Sequence, residues 1–85
     1  MKIVDLKNRV CSLLRESSFD EEATQIDSII DRIIDPEEIN KKKYIEEIVS
    51  RCNIRWLGDY YIKGVTYNSW VKLISNLEIE AKKYY

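Results

Sequence analysis

The sequence predicts an all-α fold: a small antiparallel four-helix bundle with an irregular, aromatic-rich crossover before the last helix. Three observations carry this expectation. Apolar residues recur at steps of three and four through most of the chain. One proline and two glycines interrupt 85 residues, too few for a series of turn-linked strands. The links between periodic segments are short, which favours antiparallel neighbours. With 45% hydrophobic residues the chain has material for one apolar core, so residues 1–85 are read as a single domain.

The first helix is expected from Lys2 to Glu16, where Ile3, Leu6, Val10 and Leu13 form a stripe widened by Val4, Cys11 and Leu14. The run "SSFDEE" ends it and begins the next. Ser18 and Glu21 have capping-box spacing, and Asp20, Glu21 and Glu22 put negative charge at the positive end of a helix dipole. The second helix should run from Asp20 to Ile34 and bury Ala23, Ile26, Ile29, Ile30, Ile33 and Ile34. In "DPEE", Asp35 is placed to cap and Pro36 suits a first helical position, with a short turn following. A third helix is expected from Lys41 to Cys52, with Asn53 as a left-handed terminator. In the last helix Thr66 is the N-cap and Val65 and Trp70 occupy staple positions. Trp70, Leu73, Ile74, Leu77, Ala81 and Tyr84 share one face.

Between the third and fourth helices, "RWLGDYY" (Arg55–Tyr61) has no helical period. Gly58-Asp59 suits a tight hairpin turn, and an irregular crossover with its rings on the bundle is the other reading. Trp56 against Trp70 is expected as packing. Tyr60 and Tyr61 are neighbours in an extended segment, so their rings point opposite ways and one is expected to face outward as an interface anchor.

Composition narrows the function. There is no histidine, which removes the commonest general base and the commonest transition-metal ligand. No glycine-rich phosphate loop or nucleophile–base pairing is present, so no enzyme activity is expected. Cys11 and Cys52 lie far apart without metal or redox spacing and read as buried free thiols of a reducing cytoplasm. No segment has signal-peptide character or the length of a membrane span, and no loop has calcium-binding spacing. Cofactors, metals and a membrane partner are not expected.

The formal net charge of −1 hides a division. Residues 1–15 carry +3, residues 16–38 carry −8, and residues 39–85 carry +4. The domain therefore lacks the basic footprint of a nucleic-acid binder. At about 100° per residue, Asp20, Thr24, Asp27, Asp31 and Asp35 fall in one stripe of the second helix, roughly 130° from the centre of its isoleucine face. Like charges one turn apart repel, and aspartate is a mediocre helix former. Two readings follow: a solvated face offset by basic side chains of the first and third helices, or a docking face for a basic partner at Asp20, Asp27, Asp31 and Asp35. On the second, Asp27→Lys with Asp31→Lys should abolish binding and leave helicity intact.

A compact bundle with an acidic second helix and a Tyr-Tyr pair after an acid, here "DYY" at Asp59–Tyr61, resembles the small immunity proteins that neutralise bacterial nuclease toxins. In the colicin-nuclease members the acidic second helix and the tyrosine pair form the toxin-binding face. The resemblance implies such roles for Asp20, Asp27, Asp31, Tyr60 and Tyr61. "RWLGD" followed by "TYNSW" also looks like short bacterial proteins of toxin–immunity systems, including contact-dependent growth inhibition. This chain differs in its full third helix between acids and tyrosines. The expected function is a cytoplasmic inhibitor, monomeric when free, that binds a basic toxin domain. The alternative is a structural or adaptor subunit that self-associates or binds another protein through its C-terminal aromatic face.

Overall fold

A computed structural model describes residues 2–52, 60 and 62–84. Four helices are present among them: α1 (Ile3–Glu16), α2 (Asp20–Ile34), α3 (Lys41–Arg51) and α4 (Tyr67–Lys82). Each packs against its neighbours in sequence, and α4 also packs against α1. The Cα radius of gyration is 12.0 Å, the value of about 12 Å expected for a compact chain of this length. No helix is long and apolar enough to cross a membrane among the described residues.

The predicted stripes meet in one core. Leu6, Val10 and Leu14 of α1, Ile26, Ile30 and Ile33 of α2, Ile45 and Ile48 of α3, and Trp70, Ile74 and Leu77 of α4 are all buried. No polar or charged residue is buried with them among the described residues, so the core contributes through apolar burial and close packing. The edges of three stripes are less covered than expected. Val4 and Tyr84 are exposed and Ile34 is half-buried. Val4 stands next to Ile3, which is buried, so its exposure reflects its angular place at the edge of the stripe, and Tyr84 lies just beyond α4.

The helix ends depart from expectation in instructive ways. Ser18 does not form the capping box, because its backbone is already used to end α1. It has φ +69°. Its N–H donates to Arg15 O at 3.1 Å, and the Phe19 N–H donates to Leu14 O at 2.8 Å. This is a Schellman closure with a serine in the place glycine usually takes. Phe19 becomes the N-cap of α2 without a side-chain bond, and its ring packs on the core. Asp35 is the C-cap of α2 and does not cap a following helix. Its Oδ1 accepts the Glu37 N–H at 3.0 Å and its carbonyl accepts Glu38 N–H at 3.2 Å, so Pro36 sits inside a turn, where its fixed φ is favourable. At α4 the expected cap forms: Thr66 Oγ1 accepts the Ser69 N–H at 3.2 Å.

Lysines 41–43 open α3, the less favourable end for positive charge. Lys41 turns back toward α2, where its Nζ donates to the carbonyls of Ile33 and Asp35. A cation unsuited to the start of one helix thus neutralises the end of another. At the opposite side of the chain, Ser17 Oγ accepts the Lys63 N–H at 2.9 Å, tying the α1–α2 corner to the segment entering α4. The hairpin-or-crossover question, the Asn53 terminator and the Trp56–Trp70 packing lie outside the described residues.

Candidate functional site: an acidic helix and its aromatic corner

The four aspartates of α2 share a side of the helix but not a situation. Asp20 is exposed. Asp27 is half-buried and its Oδ1 lies 2.7 Å from Lys7 Nζ, reaching across from α1. The same ammonium is 3.8 Å from Asp31 Oδ1, whose side chain is 62% exposed. Asp35 is half-buried and holds the turn after α2. The hydrogen bond that Lys7 donates to Asp27, reinforced by the charges of Asp27 and Asp31, holds the Lys7 ammonium above the usual lysine value, against the opposing pull of burial.

This changes what the stripe can do. Asp27 spends its charge on α1, and Asp35 spends a carboxylate oxygen on its own turn. Carboxylates that look outward are Asp20 and Glu21 in the first turn and Asp31 about three turns later. No ion pair to Asp20 or Glu21 occurs among the described residues. Reversing Asp27 would place two cations together at Lys7 and damage the α1–α2 contact, so the informative reversals are at Asp20 and Asp31.

Tyr60 is brought to the start of the same helix. Its ring stands 4.7 Å from that of Phe19, centroid to centroid, with planes tilted by 36°, a favourable offset geometry. Burial raises the Tyr60 hydroxyl above its ordinary value, the Glu22 carboxylate raises it further, and Arg51 opposes them. Arg51 Nη1 in turn donates to Gln25 Oε1 at 2.5 Å, joining α3 to this flank of α2. The ring therefore belongs to a corner made by Phe19, Glu22, Gln25 and Arg51. Glu22 and Asp27 are five residues apart, about 140° around the helix axis. Tyr60 thus meets Glu22 on the α3 flank, while Asp27 and Asp31, with Asp20 in the same stripe, turn toward the α1 flank. Tyr61 lies outside the described residues.

Sequence reasoning missed Lys7, Phe19, Glu22 and Arg51 as members of this region. For Lys7 a signal existed, since it stands beside Ile3, Val10 and Leu14 at helical spacing, at the rim of the buried stripe. For Phe19 the signal was the placement of the chain's one phenylalanine between two helices. Nothing local announced the Arg51–Gln25 bond.

Elsewhere the surface offers hollows but no reactive set. One of about 450 Å³ lies between α3 and α4 beside Cys52, and one of about 470 Å³ between the start of α1 and the end of α4. Both cysteines are free and buried. Burial pushes the Cys52 thiol up to about 12, and burial with the Asp27 charge pushes Cys11 up to about 11, so neither is a ready thiolate nucleophile. Among the described residues no group of three or more aspartate, glutamate or cysteine side chains is arranged to hold a metal ion. No family model, curated protein or solved structure matches the chain.

Proposed function

We propose that the chain is an immunity-type inhibitor: a non-catalytic helical domain that docks a basic toxin domain, in the first instance a nuclease, and blocks it. Its scaffold on this reading is an antiparallel bundle in the cytoplasm, monomeric when free. Antiparallel sense is supported by the start of α1 and the end of α4 lining one hollow, and by Lys41 standing 6.0 Å from the Tyr84 ring. The observation that carries the function is the exposed first turn of α2. There Asp20 and Glu21 face solvent and follow directly in the chain on Phe19, whose ring pairs with that of Tyr60, within a segment of charge −8. A surface that binds phosphates is basic, and an exposed acidic edge with an aromatic neighbour attracts and orients such a surface. With Asp27 paired to Lys7, the edge on this reading is Asp20, Glu21 and Asp31, and Tyr60 stands by Glu22 on the α3 flank of the same helix.

The test is titration calorimetry against the product of the adjacent reading frame, purified and catalytically disabled; a product that is not a basic toxin, or that does not bind, removes the proposal. Asp20→Lys with Asp31→Lys should weaken binding at least a hundredfold with unchanged circular dichroism. Unchanged affinity removes the proposal. A second reading, an adaptor that self-associates through its C-terminal helix, is favoured by Tyr67 and Ile79 standing 56% and 54% exposed on α4. Sedimentation over a hundredfold range of concentration separates the two, since self-assembly makes the mass rise with concentration.

A further inference from the structure

One contact outside the acidic region draws three elements together. Lys41, the first residue of α3, is half-buried. Its Nζ donates to the carbonyls of Ile33 and Asp35, in the last turn and at the C-cap of α2. Those carbonyls have no partner within their own helix. The same ammonium stands 6.0 Å from the centre of the Tyr84 ring, just beyond α4 and within the range of cation–π attraction. The Tyr84 N–H donates to Ala81 O at 3.1 Å.

We infer that Lys41 is a charge-operated clasp that makes the end of α2, the start of α3 and the last turn of α4 open and close as one unit. Both kinds of contact require the positive charge. A neutral side chain loses the two carbonyl bonds and the ring attraction together, taking this donor from the Ile33 carbonyl and leaving the Asp35 carbonyl with the Glu38 N–H alone. Arginine keeps the charge, can donate to two acceptors and stacks on an aromatic face. The clasp sits at the end of the bundle away from Tyr60, so it is independent of the inhibitor reading.

Native-state hydrogen exchange on the full chain tests it. In Lys41→Met, the amides of Ile33 and Ile34, of Tyr44 and Ile45, and of Ala81 to Tyr84 should all exchange faster, on the order of tenfold, as expected when buried acceptors lose their donor. Amides near the opposite corner, such as Ala23, should be unchanged, and Lys41→Arg should restore the original rates. Acceleration confined to α3, or uniform acceleration of every amide, overturns the clasp. Should Lys41→Met fail to fold, Tyr84→Leu serves instead, because it removes only an exposed ring. It should still quicken exchange at Ile33 and Ile34, and no change there overturns the coupling.

Discussion

Lys7 on α1 and Asp27 on α2 meet at 2.7 Å, and the lysine stem is mostly covered while its ammonium spans toward Asp31. The pair joins α1 to α2 and engages one of the four stripe aspartates within the fold. A folded-state lysine value above the unfolded one, ordinarily 10.5, means that the folded state holds the proton more tightly. The contribution is therefore complete below pH of about 10.5 and is lost as pH rises through the folded value. Wild type should lose more stability than Lys7→Met between pH 10 and 12 in thermal melts. At pH 7, Asp27→Asn should cost about 0.5–1 kcal/mol, the scale of a partly exposed pair, measured by urea unfolding.

Among the described residues two positions hold backbone in the left-handed region, and they should respond in opposite directions. Ser18 has φ +69° with a side chain that disfavours it, while Gly64 has φ +80°. Ser18→Gly should stabilise the protein by about 0.5–1 kcal/mol, and Gly64→Ala should destabilise it by about 1 kcal/mol. A Cβ at Gly64 would meet nothing within 4 Å, so the second cost is conformational. Urea midpoints of the two variants give both signs.

Thr66 should behave as a cap in the strict sense. Its Oγ1 accepts Ser69 N–H and donates to Ser69 Oγ at 2.9 Å. Thr66→Ala should lower stability by about 1 kcal/mol and Thr66→Ser by much less. Equal losses in the two variants would show that the methyl group, not the oxygen, matters.

The cysteines report on opening. Cys11 Sγ donates to the Ala23 carbonyl at 3.3 Å, and both thiols are buried with values near 11 and 12. At pH 8 iodoacetamide should leave the native protein unlabelled over hours and add two groups in urea. Mass spectrometry reads the difference. Rapid labelling of Cys52 in the native state would mean that the α3–α4 hollow opens easily.

How far the sequence carried is clearest at particular residues. The helices were legible because Ile26, Ile30 and Ile33, or Trp70, Ile74 and Leu77, state a helical face without needing a partner. Thr66 was legible because a cap is a local bond. Ser18 was misjudged for the same reason: its spacing to Glu21 satisfies a helix start, and only the bond from Phe19 N–H to Leu14 O shows that α1 claims it first. The acid stripe followed from angular position alone, but the fate of Asp27 depended on which face of α1 lay opposite. That is a tertiary fact. Tyr60 illustrates the same limit: neighbouring rings alternate in an extended segment, yet its partner Phe19 lies 41 positions earlier, beyond any local pattern.

Three of the four packed helix pairs join consecutive elements, whereas α4 against α1 spans the chain. Local hairpins of helices assemble in microseconds, and closing a long loop is the entropically slow act. Formation of the ring therefore waits on the arrival of the last helix. The Ser17 bond to Lys63 N–H, made between residues 46 positions apart, lies where that arrival begins. A small rod assembled in this order leaves the inner sides of its first three helices open to water until the final segment docks. During synthesis that moment falls after residues 67–82 have left the ribosome.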